Sequence, residues 1–365
     1  MRWVFAAIVA LHGLIHLLGV AKAFGWAELP QLNLPISRPM GAVWLAAALL
    51  CLAAAGALFL WPRGWWMLGA AAVVVSQIAI VASWQDARFG TVVNVLLLLG
   101  VLQGYLVHGP QSFEARFARD TAALVETPAD PGQVTQPEID ALPAPVRRYL
   151  SLSGVVAGSP RASSYALRLR GRIRSGPDEA WMPFEAEQQS ATAPAARFFL
   201  MRASTHGLPV EAYHRLVGGH ATMQVRVLGV IPVQDASGEV MDRSESVTLL
   251  NDMTLLAPRT LLDPAITWEP IDDVTARARL SQGAQQVSAT LHFDAAGRVV
   301  NFVSDDRSRA TSAPGDFTLT RFSTPVTAYF DDGPPLRVKH AEARWHAPEG
   351  EFVYAEFDVL SATIR

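Results

Sequence analysis

The chain has 365 residues, of which 50% are hydrophobic and 17% are charged, and its mean hydropathy is positive. These figures exclude a disordered tail, a collagen and a small disulfide scaffold. Residues 1–108 contain five basic and two acidic groups, whereas the rest of the chain contains 25 basic and 31 acidic groups. Because nucleic-acid binding requires a clustered basic surface, this mildly acidic C-terminal part predicts no nucleic-acid partner.

Four apolar runs in the N-terminal part are each about 17–22 residues long, the length that an α-helix needs to cross a hydrocarbon core about 30 Å thick. These predicted spans are Trp3–Val20, Met40–Trp61, Trp65–Trp84 and Thr91–Val107. The first run has no clear small-residue cleavage site, so we interpret it as a retained span and not as a secretory signal. Residues 1–108 are therefore predicted to form a four-helix transmembrane domain.

The side of the membrane that the C-terminal part faces is predicted from the basic residues near the span ends. The side of the termini carries Arg2, Arg63, Arg116 and Arg119, and the other side carries Lys22, Arg38 and Arg88. This four-to-three division favours a cytoplasmic C-terminal domain. The single cysteine, Cys51, lies in the second span and gives no disulfide pattern from which the compartment could be inferred.

A few polar side chains lie inside the predicted spans, where each is unfavourable unless it has a partner. The candidate intramembrane cluster consists of His12, His16, Gln77 and Asn94. His12 and His16 are four residues apart and would project from one helix face. From the helical rise, His16, Gln77 and Asn94 should lie roughly 6, 10 and 5 Å from the same membrane surface, so they could meet in one layer.

Two interpretations of this cluster remain open. The side chains could form hydrogen bonds that fix the packing of the helices, or they could form a haem, metal or quinone site or a proton relay. No other span contains a histidine, and no cysteine or carboxylate cluster completes a metal site. We therefore predict no bound cofactor or metal.

The composition changes after the last span. Residues 109–145 are rich in Pro, Ala, Asp, Glu and Thr and are predicted to be a linker. Residues 146–365 are predicted to form a mainly β domain, because apolar and polar side chains alternate in about ten runs joined by short turn-rich connections. Helices are predicted at Ala144–Leu150 and at Ser244–Leu256.

An antiparallel sheet of about ten strands tends to curl, and its apolar face must be covered by helices, by the sheet itself or by a ligand. The two predicted helices are too short to cover all of this face. The sequence therefore predicts a curved sheet or half-barrel with a hydrophobic binding cavity.

Four polar residues close to apolar strand residues are the candidate ligand contacts of this domain. They are Gln188, Arg202, Asn301 and Arg307. Gln188 has the same parity as Phe184, so it should point into the core or cavity and need a partner there. For each of the four, a structural hydrogen-bonding role is the alternative.

A stripe of arginines lies on one predicted strand, at Arg168, Arg170, Arg172 and Arg174. Such a stripe could bind lipid phosphates, because the guanidinium group matches their geometry. The next strand favours another explanation, since a hairpin would place Glu185 and Glu187 opposite the arginines. We therefore interpret the stripe as a paired surface.

Common enzyme motifs for nucleophilic hydrolysis, metalloproteolysis and nucleotide binding are absent from the sequence. The six histidines of the C-terminal part are scattered at His206, His214, His220, His292, His340 and His346. Their spacing matches no common metal site. The sequence therefore favours a protein without enzymatic activity.

Short motifs occur along almost the whole chain. The N-terminal ones are Leu11-His-Gly-Leu-Ile-His16, Lys22-Ala-Phe24, Pro30-Gln-Leu32, Pro35-Ile-Ser37, Ser83-Trp84 and Asp86-Ala-Arg-Phe-Gly90 with Asn94. The C-terminal ones include Val146-Arg-Arg-Tyr-Leu150, Trp181-Met-Pro-Phe184, Ala186-Glu-Gln188, Ile271-Asp272-Asp273, Phe293-Asp294 and Asp306-Arg307. With these motifs the chain resembles an uncharacterised family of bacterial integral membrane proteins with a four-helix N-terminal anchor and a C-terminal domain of unknown function. The resemblance implies a multi-pass protein of the bacterial cytoplasmic (inner) membrane and implies no activity.

A looser similarity, which rests on strand number and pattern alone, is to the curved half-barrels of bacterial lipoprotein carriers. Our leading hypothesis is a membrane-anchored, non-enzymatic module that binds a membrane lipid or other apolar small molecule in a concave β-sheet. The first alternative is a redox or quinone-linked membrane enzyme that uses His12 and His16. The second is a structural partner of another envelope protein.

Overall fold

The computed structural model describes residues 2–30, 32–125, 132–311 and 316–365. The chain divides into two compact units, Met1–Ala115 and Arg116–Arg365. The second unit begins within the segment that the sequence predicts as a linker, and that segment contains two helices among its described residues.

The first unit is helical. Its helices are α1 Arg2–Ala23, α2 Arg38–Leu60, α3 Trp65–Ala82, α4 Trp84–Ala87 and α5 Gly90–His108. Four of them, α1, α2, α3 and the helix that begins at Gly90, are long and apolar enough to cross a membrane. The four predicted helices are thus confirmed, with ends within a few residues of those expected.

Small residues allow α1 and α2 to pack closely, which is the usual way that helices associate in lipid. A Cβ atom on Gly19 would lie only 2.2 Å from the indole ring of Trp44, and one on Gly13 would lie 3.0 Å from the Cβ atom of Cys51. The facing side of α2 is lined by buried alanines, including Ala47 and Ala54. Glycine is therefore needed at position 19.

The second unit combines a large sheet with short helices. Helix α6 Phe113–Val125 leads into it, and α7 Gln136–Asp140, α8 Ala144–Leu152 and α9 Glu239–Leu255 follow. The described residues contain sixteen strands: β1 Ser164–Ile173, β2 Met182–Thr192, β3 Ala195–Thr205, β4 Leu208–Val217, β5 His220–Val227, β6 Ile231–Ser237, β7 Ile266–Asp272, β8 Thr275–Gln282, β9 Gln285–Phe293, β10 Val299–Ser304, β11 Ser308–Ala310, β12 Phe317–Leu319, β13 Arg321–Ser323, β14 Val326–Tyr329, β15 Val338–Ala347 and β16 Gly350–Ile364.

Thirteen of these strands form one curled path in the order β6-β5-β4-β3-β2-β1-β16-β15-β13-β10-β9-β8-β7. The pairings along this path are antiparallel, β14 pairs with β15, and β11 and β12 form a separate pair. This half-barrel confirms the predicted fold class. Its free edges are β6 and β7, and α9 connects them along the chain.

The concave face of the half-barrel is covered mainly by α9, which packs on β4, β5, β6, β8, β9 and β10. Its side chains Val247, Leu249, Leu250 and Met253 are buried in the core. Helix α8 covers a further part, where the Tyr149 hydroxyl donates to the carbonyl of Thr254 at 2.8 Å. Because α9 begins five residues earlier than predicted and is almost wholly buried, it fills much of the cavity that the sequence predicts.

Since the strands are antiparallel, their turns alternate between two rims of the sheet. We call one the glycine rim, because the turns at Gly218-Gly219 and at Gly283 meet there. A Cβ atom on Gly219 would lie 3.2 Å from the carbonyl oxygen of Gln282, and the φ angles of Gly219 and Gly283 are +84° and +57°. The opposite rim carries the β3–β4 and β5–β6 turns.

Candidate functional site

A buried charged cluster lies between the concave face and α9. Arg197 on β3 is 5% exposed and donates hydrogen bonds to three side chains. Its Nε donates to Asp252 Oδ2 at 2.7 Å, and its Nη1 donates to Glu245 Oε2 at 2.9 Å. Its Nη2 donates to Gln188 Oε1 at 3.1 Å. One guanidinium group therefore joins two carboxylates of α9 to strand β2.

Further hydrogen bonds connect this cluster. Gln188 Nε2 donates to Asp252 Oδ2 at 2.8 Å, and His214 Nδ1 lies 2.8 Å from Glu245 Oε1. Burial alone would raise the pKa of Glu245, but the neighbouring His214 and Arg197 outweigh it and bring the pKa down to about 2. Glu245 is thus ionised at neutral pH, and the cluster fixes α9 to the sheet.

A cleft of about 350 Å³ remains between α9 and the glycine rim. Its apolar lining consists of Leu249, Met253 and Leu280 with the smaller Ala195 and Ala265. Its polar lining consists of Thr192, Asp263, Ser281 and Gln282 together with two glycines of the rim, Gly218 and Gly283. The volume is at the lower end of the range for small-molecule sites, about 300–1,000 Å³. None of the lining residues carries a positive charge, so the cleft offers no ion-pair partner to an anionic group.

The four sequence-predicted ligand contacts do not meet at this cleft. Gln188 lies in the buried charged cluster, deeper along α9. Arg202 lies on the outer face of the sheet, where its Nη1 donates to Glu187 Oε1 at 3.1 Å, and it lines an outer groove of about 630 Å³. For Arg202 and Gln188, a role as ligand contacts stays a prediction.

Arg307 and Asn301 lie elsewhere in the second unit. The Arg307 guanidinium carbon is 4.3 Å from the centre of the Phe322 ring, and Nη1 donates to the Tyr354 hydroxyl at 2.7 Å. Asn301 Oδ1 and Arg307 Nε have no hydrogen-bond partner among the described residues. Their roles as ligand contacts also stay predictions.

The lining residues were missed for a physical reason. Leu249 and Met253 are four residues apart within the predicted helix, so a helical apolar stripe was the available signal. That signal does not distinguish a cavity wall from a packed core. Leu280 and Ala265 come from other segments, and only the folded path of the chain brings them to α9.

The candidate intramembrane residues form one hydrogen-bonded network. His12 Nε2 lies 3.1 Å from Asn94 Oδ1 and 3.0 Å from Ser76 Oγ, and His16 Nε2 lies 2.8 Å from the same Ser76 oxygen. Asn94 Nδ2 donates to Gln77 Oε1 at 2.9 Å. The network joins α1, α3 and α5 in a single polar layer. Whether it has a function beyond packing stays open.

The arginine stripe has the strand register that the sequence predicts. Glu185 on β2 lies opposite Arg170 on β1. The acidic partners of the stripe lie instead on β16, on the other side of β1, where Arg172 Nε donates to Glu356 Oε2 at 2.8 Å and Arg170 pairs with Asp358 at 3.5 Å. The stripe is thus a paired surface, and β16 supplies the ion pairs that the sequence predicts from β2.

Three comparisons with known proteins bear on identity. No curated protein matches the chain. A domain from Vibrio parahaemolyticus, provisionally assigned as an outer membrane lipoprotein-sorting protein, is 9% identical with a TM-score of 0.30 and covers 56% of this chain and 86% of its own. A DUF1329 family protein from Desulfovibrio piger is 12% identical with a TM-score of 0.32 and covers 65% of this chain and 94% of its own.

A third solved structure is a β-barrel-like protein of domain of unknown function DUF1849 from Brucella abortus. It is 10% identical with a TM-score of 0.21 and covers 56% of this chain and 99% of its own. At such TM-scores these likenesses carry no argument about function. The sequence model described as "Family of unknown function (DUF6544)" matches residues 132–357, a region that contains both the cleft and the buried charged cluster. Because this match covers more than half of the chain, the protein belongs to that family.

Proposed function

We propose that the protein is a membrane-anchored binding module that holds a neutral lipid or another apolar molecule in the cleft beside α9. The observation that carries the proposal is the apolar lining by Leu249, Met253 and Leu280, next to a rim where two glycine turns meet. The cleft is open to solvent on one side and borders these core side chains, so a ligand that entered it would pack against an apolar wall. The four apolar helices support an anchor in a bilayer, which is the richest source of such ligands.

We also propose that this bilayer is a bacterial inner membrane. The resemblance of the N-terminal motifs to bacterial membrane proteins supports this location, and the division of basic residues around the spans favours a cytoplasmic second unit. Protease digestion of inverted membrane vesicles, which expose the cytoplasmic face, measures the side on which the second unit lies. Cleavage of the second unit supports the proposal, and its protection contradicts the proposal.

A photoactivatable acyl probe with a neutral ester head group tests the cleft in the full-length chain. After illumination, cross-linked peptides are mapped by mass spectrometry, so that lipid around the spans is distinguished from lipid in the second unit. We expect labels near Met253 and Leu280. Ala265→Trp, which fills the cleft, should remove these labels, whereas Ala362→Trp at an exposed position of β16 should keep them.

Labels confined to the four apolar helices, with none in the second unit, would contradict the proposal. A protein that co-purifies in fixed ratio with an unlabelled second unit would instead favour a structural role beside another envelope protein.

One observation favours a second candidate function in the first unit. His16 Nδ1 and Trp44 Nε1 have no hydrogen-bond partner among the described residues, and their rings are 5.1 Å apart. Buried polar atoms without partners are unfavourable in lipid, so a quinone carbonyl or a water in a proton path could satisfy them. Quinone extraction, an absorbance spectrum and metal analysis of the purified chain test this: a colourless preparation without quinone or metal would contradict a redox role.

A further inference from the structure

We propose that the hairpin between β5 and β6 places an apolar tip on the lipid surface of the membrane that anchors the chain. The apolar tip is defined here as Leu228–Val233, with the sequence Leu-Gly-Val-Ile-Pro-Val. This contact is separate from the ligand cleft, which lies at the glycine rim.

The composition of the tip is the first observation. No residue of the tip has a polar or charged side chain. Val230, Ile231 and Val233 are 42%, 52% and 49% exposed. Hairpin turns at a water-exposed surface are usually built from Gly, Asn, Asp and Ser. Several exposed β-branched side chains in one turn therefore indicate a surface that is covered by an apolar medium.

The backbone of the tip is the second, independent observation. Leu228 has a φ angle of +58° and Gly229 has one of +71°. Two successive positive φ angles are typical of the type I′ hairpin turn, in which Asn-Gly is the favoured pair. Leucine at the first position is strained, since its Cβ atom clashes with the backbone in the left-handed region. Strained backbone conformations are found mainly at functional sites. A leucine here is therefore explained by an apolar contact of its side chain, which asparagine would not make.

The direction of α6 within the second unit indicates what covers the tip. Arg116 Nη1 donates to Gln224 Oε1 at 2.5 Å, near the start of this unit. One helical turn later, Asp120 accepts from the Tyr213 hydroxyl at 2.6 Å and pairs with Arg215 at 3.4 Å. Tyr213 lies opposite Gln224, and Arg215 lies nearer the glycine rim. Helix α6 therefore runs antiparallel to β5, and its earlier residues lie towards the rim of the apolar tip.

The chain thus enters the second unit from the side on which the apolar tip lies. Helix α5, the last of the apolar helices, ends at His108, eight residues before Arg116. Eight residues span at most about 28 Å when fully extended. The strand between Gln224 and the tip is three residues long, or about 10 Å. A bilayer at the end of the last span is therefore within reach, which favours lipid over a second copy of the chain.

Depth-dependent fluorescence quenching tests the proposal in the full-length chain. The protein is placed in phosphatidylethanolamine–phosphatidylglycerol nanodiscs, and Ile231→Cys carries a bimane label. The lipids carry a nitroxide near the head group. The parent chain is the labelling control, because its only thiol, Cys51, is buried. Leu360→Cys is the matched control: Leu360 is 48% exposed on β16, which lies five strands away from β5 in the sheet.

We expect nitroxide lipids to quench the label at position 231 several-fold more strongly than the label at position 360. Equal quenching at the two positions would overturn the proposal. Disulfide-linked dimers of the unlabelled Ile231→Cys chain, together with no quenching of the labelled chain, would overturn it in favour of a second copy as the partner. As a second measurement, Leu228→Asn relieves the backbone strain, so the fold should be retained while quenching at position 231 decreases. Unchanged quenching in that variant would count against a lipid contact of the tip.

Discussion

Removing Arg197 should destabilise the second unit strongly, because two carboxylates of α9 would lose their shared partner. Arg197 bonds to Asp252 at 2.7 Å, to Glu245 at 2.9 Å and to Gln188 at 3.1 Å, and all four side chains are buried. Breaking a buried ion pair by removing one partner costs about 3–5 kcal/mol, since the remaining charge is left without compensation. We therefore expect Arg197→Met to lower the free energy of unfolding by about that amount.

A charge-balanced variant separates this effect from a simple loss of packing. Arg197→Met combined with Glu245→Gln and Asp252→Asn removes all three charges together, so most of the lost stability should return. As a control, Arg172→Met removes an exposed arginine whose partner is Glu356, and it should cost less than about 1 kcal/mol.

Pulse proteolysis of the detergent-solubilised full chain across a urea series measures these differences. Mass spectrometry of the fragments assigns each transition to the first or second unit. A cost below about 1 kcal/mol for Arg197→Met, or a triple variant no more stable than the single one, would refute the reasoning.

Three further predictions follow from the described contacts. Folding lowers the pKa of Glu245 from an ordinary 4.5 to about 2, so its ionised carboxylate stabilises the folded state by about 3 kcal/mol above pH 4.5. This stabilisation is lost as the pH falls towards 2. In Glu245→Gln, the free energy of unfolding should therefore depend less steeply on pH in this range, which acid unfolding measures. Gly219→Ala places a Cβ atom 3.2 Å from the carbonyl oxygen of Gln282 in the facing turn. It should lower the free energy of unfolding more than Gly207→Ala does, because Gly207 has a similar φ angle but open space around it. Urea unfolding compares the two variants. Gly19→Ala should destabilise the helical unit by about 1–3 kcal/mol, because the new Cβ atom meets the Trp44 ring; thermal unfolding in detergent measures the loss, and an unchanged transition would contradict close helix packing there.

Strand prediction succeeded where one face of a strand is buried and the other meets solvent, as in β1. It missed β4, where Tyr213 occupies an outward-facing position and is nevertheless buried. The reason is that α6 packs on the outer face at this point, with the Phe117 ring 6.3 Å from that of Tyr213. A strand covered on both faces loses the alternation of apolar and polar residues.

The two edge strands were missed for another reason. Pro232 lies in β6 and Pro270 lies in β7. Proline cannot donate to a neighbouring strand, so it is found on sheet edges and argues against a strand in sequence analysis. The edges of the half-barrel are thus the parts whose sequence is least typical of a strand.

The polar network between α1, α3 and α5 could be anticipated because helical rise converts sequence number directly into position along a helix axis. His16 and Asn94 come from apolar helices whose directions alternate if each crosses a bilayer, so their common level follows from counting residues. The cleft could not be anticipated in this way. Its lining comes from α9, from β8, from the ends of β2 and β3 and from turns, and the path of α9 across the sheet depends on Arg197 and other tertiary contacts.

The position of β16 has a consequence for biosynthesis. Among the described residues, β16 (Gly350–Ile364) lies between β1 and β15. It links the part of the main sheet formed by β1 to β6 to the part formed by β7 to β10 and β13 to β15. Hairpins of either part can form while the ribosome is still translating, but the two parts cannot join until β16 has left the exit tunnel. A premature stop codon just before this strand would therefore leave two open sheet edges, which invite pairing with other nascent chains.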